Sequence, residues 1–186
     1  LYAGIDEAVN KQVPEDFYGG SFADTNVVTD ILELYKDDHP EVFWIDESEP
    51  YYYTQDDGGL TIRLHFKLQK DALETARQEL ENAVQQIVAD APAESSDYQK
   101  ELFVHDRLID ACTYDEEAVE IHKQEKGRGN EQNAYGALVG GRAVCAGYAH
   151  AFQYFMQQMG IPCAYVLGYA QGGYHAWNLV LLDGDH

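Results

Sequence analysis

The hydrophobic and polar positions change period along this chain, and the changes mark out its elements. Residues 1–12 carry apolar positions at Ile5, Ala8 and Val9, a weakly helical pattern that a Gly19-Gly20 break follows. From a cap at Asp24 or Thr25, the positions Val27, Val28, Ile31, Leu32, Leu34 and Tyr35 recur with helical spacing as far as Lys36, and His39-Pro40 ends the run. Residues 42–46, 51–55 and 60–68 read as strands. In the third, Leu60, Ile62, Leu64, Phe66 and Leu68 alternate with polar residues, and Gln55-Asp56-Asp57-Gly58-Gly59 supplies the turn before it. Asp71 caps a long helix to about Asp90, residues 91–96 form a short linker, and a helix runs from Asp97 to Cys112. Residues 120–133, rich in Lys, Glu, Gln, Gly and Asn, read as an exposed loop. An apolar helix beginning near Cys145 comes next. Strands at 163–169 and 174–182 follow, joined by a Gln171-Gly172-Gly173 turn, so they form a hairpin with one face free to receive the helix.

This order sets the fold expectation as α+β, with the helix that begins near Cys145 packed on an antiparallel sheet and an N-terminal α/β extension. The boundary is placed at the linker, giving an extension over 1–92 and a core over 93–186.

Within the core, Cys145 follows the Gly140-Gly141 turn and occupies the first turn of its helix. Unpaired N–H groups and the positive end of the helix dipole favour thiolate over thiol there. The second strand of the hairpin carries His175 near its start, and a base on a strand beside a helix-borne thiol is the pairing used in nucleophilic catalysis. The Cys145 backbone N–H is also a natural donor to a developing oxyanion. By strand alternation Trp177 shares a face with His175, where its indole is expected to shield the imidazole.

The other candidates are weaker. His150 falls about 140° round the helix from Cys145 and faces away from the thiol. His39, His65, His105 and His122 are scattered without ligand spacing, so no metal or other cofactor is expected. Three cysteines in no regular spacing make no disulfide framework; Cys112 and Cys163 read as small buried hydrophobes, with a bridge between them as the minor alternative. Tyr51-Tyr52-Tyr53 reads as sheet packing more than as a groove lining.

The segment around these residues carries a specific resemblance. Gly141-Arg142-Ala143-Val144-Cys145-Ala146-Gly147-Tyr148-Ala149-His150-Ala151-Phe152 is followed by Gly160-Ile161-Pro162, Val166-Leu167-Gly168-Tyr169 and His175-Ala176-Trp177-Asn178. Together they resemble the core of the transglutaminase-like superfamily, relatives of the papain-type cysteine proteases. The match covers 135–186, and residues 102–114 with Thr113-Tyr114-Asp115 resemble the helix that precedes this core in bacterial members.

The resemblance implies a Cys-His-Asp triad acting on peptide or protein amide bonds, with Cys145 as nucleophile and His175 as base. It also implies a second oxyanion donor from the segment upstream of the cysteine, where Gln132 and Tyr135 lie, with Tyr135 preferred. The acidic member is expected on a strand after the Asp183-Gly184 turn and so past His186; Asp183 and Asp185 are poor substitutes because turn carboxylates project away from His175. The chain, which begins at Leu1 and not at Met, is accordingly expected to be a fragment with weak or no turnover. Because bacterial proteins of this kind are often exported, an extracellular or cell-surface location is expected.

Composition narrows the partners. The 186 residues include 33 acidic and 12 basic side chains, a formal charge of −21, and the sign of that field disfavours nucleic acid and anionic membrane surfaces. No apolar run reaches the length of a membrane span. Two functions stay open: thiol acyl transfer, resolved by water or by an amine, and a catalytically idle surface or peptide-binding module on the same fold.

Overall fold

The computed structural model describes all residues except 13, 23, 47–51, 55–57, 69, 94, 125–128, 171 and 184–186. Asp185, Gln171 of the second turn, the 55–57 part of the first and Tyr51 lie outside that set, as do the side chains of Tyr53 and His122. The chain divides into two compact units, Leu1–Thr75 and Ala76–His186.

The first unit holds helices α1 (Tyr2–Lys11) and α2 (Asn26–Asp38), packed through Ile5, Ala8 and Val9 against Val28, Leu32 and Tyr35. Its strands are β1 (Phe17–Ser21), β2 (Ile45–Asp46), β3 (Tyr52–Thr54), β4 (Gly59–Ile62) and β5 (His65–Phe66). Strand β4 is antiparallel to both β1 and β3 and buried along its whole length, whereas β5 pairs with β2 in a separate sheet.

Two expectations are corrected here. The alternating run 60–68 is two strands, because Arg63 leaves the ladder to make a two-pronged ion pair with Asp16 (2.6 and 2.9 Å). The Gly19-Gly20 pair is no break but lies inside β1, at a bulge between Tyr18 and Gly20. A Cβ on Gly19 would come within 2.7 Å of Ile62, so the missing side chain is what lets β1 lie against β4.

The second unit begins within α3 (Lys70–Ala89), whose Ala76, Leu80 and Val84 form one buried stripe. Helix α4 (Asp97–Ala111) starts at a capping box in which Gln99 N–H donates to Ser96 Oγ and Ser96 N–H to Gln99 Oε1. It stops where Cys112 turns extended, so the chain enters β6 (Thr113–Tyr114) directly.

Asp115 then accepts the Ala118 N–H (3.0 Å) and starts helix α5 (Glu116–Gln124). The expected loop at 120–133 is therefore helical as far as Gln124. Its polar residues are good helix formers once a cap is present. A 3₁₀ turn at Asn130–Gln132 and the short helix α6 (Ala134–Leu138) lead to β7 (Arg142–Ala143), which pairs in parallel with β6.

Helix α7 (Cys145–Gln158) is the centre of this unit. Nine of its residues are buried, among them Phe155 and Met156 at 0% exposure, each contributing about 1.5–3 kcal/mol of hydrophobic burial. Gly147 lies under the Glu131 carbonyl, and a Cβ there would stand 2.5 Å from it, so only glycine admits the 3₁₀ turn against the start of α7. Strands β8 (Cys163–Ala170) and β9 (Gly173–Val180) form the expected antiparallel hairpin, paired from Cys163↔Val180 to Ala170↔Gly173 and packed on α7. The fold is the mixed α and β arrangement read from the sequence.

Candidate active site

Cys145 is the first residue of α7 and half-buried. The preceding residue, Val144, is held by donating its N–H to Glu131 O (2.9 Å), and its own carbonyl accepts the Tyr148 N–H (3.1 Å). Val144 has no side chain that can cap the helix, so the residue before the helix supplies no acceptor to the N–H groups of the first turn.

Across from the thiol, Ala176 of β9 is buried against Ala146 and Ala149, with Cys145 and Tyr165 packed alongside. Asn178, two positions on and on the same face, donates to Ala149 O (3.0 Å) and fixes the strand on the helix. His175 is therefore the chain neighbour of a residue that lies against the thiol's helix. It is exposed and, by alternation, shares with Trp177 and Gly168 the face turned away from Ala176. The His175 and Trp177 rings are 6.2 Å apart at an angle of 32°.

The residues read as second donors go to different places. Tyr135 donates its hydroxyl to Glu79 Oε2 on α3 (2.7 Å), and this bond with the Glu79 charge raises the phenol above its ordinary value. Gln132 is half-buried in the 3₁₀ turn, one residue beyond the Glu131 carbonyl that holds Val144.

A residue absent from those candidates stands at the thiol. Strand β6 pairs Tyr114 with Ala143, two residues before Cys145, and the Tyr114 ring stacks on Tyr148 one turn into α7 (6.1 Å, 29°). The Tyr114 phenol is raised first by burial and then by the charge of a Cys145 thiolate beside it, while the Cys145 backbone N–H directed at its oxygen pulls the other way. Tyr148 in turn donates its hydroxyl to Cys112 O. The signal available in the sequence was the Thr113-Tyr114-Asp115 motif itself, but nothing local to it says that a parallel bridge sets this tyrosine beside the cysteine.

The remaining candidates have structural places. His150 stacks on Tyr165 (4.3 Å, 3°), and Asp183 accepts the Asp97 N–H at the start of α4 (3.0 Å). All three cysteines are free, so the Cys112–Cys163 bridge is not formed. Burial raises the Cys112 thiol and pushes Cys163 up to about 12. Among the described residues no group of three or more His, Cys, Asp or Glu side chains is placed to hold a metal ion, and no helix is long and apolar enough to cross a membrane.

Residues 81–186, from α3 to the end of the chain, match the transglutaminase-like superfamily. The chain belongs to that superfamily. Among solved structures this transglutaminase-like chain is similar to one described as "Crystal structure of a TGase", at 15% identity and a TM-score of 0.52, over 95% of this chain and 50% of that one. The chain thus spans half the length of that structure, and the likeness is one of fold. It is also similar to "a Putative Cysteine Protease from Cytophaga hutchinsonii", at 14% identity and a TM-score of 0.44, over 72% of this chain and 57% of the other. No curated protein matches it.

Proposed function

We propose that this transglutaminase-like chain carries the nucleophile and base of a cysteine-dependent acyl transfer on peptide or protein amides. What supports this reading is the place of Cys145 at the start of α7 in a chain of the transglutaminase-like superfamily, with the strand that carries His175 packed on that helix. In this reading Cys145 Sγ attacks the carbonyl carbon, and its proton passes to His175 and then to the leaving amine. The resulting thioester is released by water or by a second amine. The Cys145 N–H and the Tyr114 hydroxyl flank the place where the carbonyl oxygen becomes an oxyanion. Tyr114 accepts from that N–H in the resting site and turns its hydroxyl to donate when the oxygen arrives. Hydrolysis is the default outcome, since water needs no dedicated site.

Alkylation of the folded chain by iodoacetamide tests the assignment. At pH 6 Cys145 should react about tenfold faster than a cysteine in the unfolded chain, because in this reading His175 takes up the thiol proton as the sulfur attacks. Cys112 and Cys163, whose thiols burial keeps protonated, should stay unlabelled until the chain unfolds. A Cys145 that reacts no faster than the unfolded reference, or a His175→Ala chain with the parent profile, would sink the pairing.

A further inference from the structure

We propose that Gly168 is a positioning residue for the base: its bare Cα is the seat on which the Trp177 indole lies, and the indole in turn holds the His175 imidazole. This rests on the reading of His175 as the base.

In the β8–β9 register Gly168 faces His175 and Val166 faces Trp177, so all four share one face, with Trp177 diagonal to Gly168. A Cβ built on Gly168 would stand 2.5 Å from Trp177 Cη2, with Cζ3 and Cζ2 at 3.3 and 3.4 Å. The six-membered ring therefore occupies the space that any other residue's side chain would fill. The same indole lies 6.2 Å from the imidazole. Trp177 is 41% exposed, so core packing holds the indole only in part and the glycine seat bears on where the ring rests.

An indole is rigid beyond its two side-chain torsions, so it cannot yield locally to a methyl group; it must swing away as a whole, and its edge leaves His175. Glycine inside a strand weakens the strand, and at this position the missing side chain is replaced by the ring of a residue on the partner strand. Gly168 touches no reacting atom. It acts through Trp177 on the imidazole.

The test measures Cys145 alkylation by iodoacetamide from pH 5 to 8, with nuclear Overhauser contacts between the His175 and Trp177 rings, on the full chain. Gly168→Ala should abolish the ring contact and slow the histidine-dependent alkylation at pH 6 by about tenfold, within the roughly 10²-fold that a small misplacement of a catalytic group can cost. Trp177→Ala should show the same loss. The double variant Gly168→Ala/Trp177→Ala, in which the clash is gone, should melt like Trp177→Ala and react no more slowly than it, because both changes remove one arrangement.

If Gly168→Ala keeps the parent alkylation profile, the proposal is wrong. It is equally wrong if the double variant regains the parent rate, since the glycine then serves only to avoid a clash. A His175→Ala chain that alkylates like the parent overturns the base assignment and this proposal together. A histidine-dependent profile with an indifferent Gly168→Ala overturns this proposal alone.

Discussion

Tyr135 and Tyr114 differ in what their hydroxyls face. Tyr135 is bound to Glu79, while Tyr114 stands at the Cys145 N–H. Only the second is placed to meet an oxygen held at the start of α7, and the roles separate by experiment. Acylation of Cys145 by p-nitrophenyl acetate passes through a tetrahedral oxyanion, whereas alkylation by iodoacetamide forms none. Tyr114→Phe keeps the ring on Tyr148, so the burst of p-nitrophenol should slow about 10²–10³-fold, the usual loss for one oxyanion donor, with alkylation little changed. Equal slowing of both reactions would assign Tyr114 to the packing of the helix start instead.

At the scale of elements, the site depends on how β6 and β7 are tied together, since β7 delivers the chain to Cys145 and β6 delivers Tyr114. Asp115 is the tie. It caps α5 through the Ala118 N–H and accepts two bonds from Arg142 on β7 (2.9 and 3.1 Å). The Ala118 bond first, and the Arg142 guanidinium next, hold its carboxyl below the usual carboxylate range. A group depressed on folding stabilises the fold above its unfolded value of about 4 and loses that contribution as pH falls through the lower folded value. Asp115→Ala should therefore melt below the parent at pH 7, and the gap should close as the pH is taken down toward about 2. A gap independent of pH would mean that lost packing, and not the ionised carboxylate, is responsible.

For the whole molecule the dominant quantity is the charge of −21, from 33 acidic and 12 basic residues. Local pairs such as Arg63–Asp16 and Arg142–Asp115 neutralise a few carboxylates, but the excess has no cationic counterpart in the chain. Self-repulsion of this kind destabilises the compact state and is screened over about 10 Å at 0.1 M salt. The melting temperature should rise by a few degrees between about 10 and 150 mM NaCl, followed by circular dichroism. A flat or falling response would show that the attractive pairs outweigh the repulsion.

What the sequence determined by itself is what local rules govern. The helix at Cys145, the 163–180 hairpin and the burial of Cys112 follow from apolar period, turn glycines and residue type, each acting over a few neighbours. The placement of Cys145 at a helix start and of His175 at the beginning of a strand was legible for the same reason. Local rules failed where a distant partner intervened. Ile62 against Gly19 turned an apparent break into a bulged strand, and the Arg63–Asp16 pair divided the alternating run 60–68. The positions of Tyr114 and Tyr135 lay beyond reach as well, because a parallel bridge between residues 113–114 and 142–143 and a helix carrying Glu79 decide them. A side chain's surroundings depend on chain segments dozens of residues away, and only the folded structure brings those segments together.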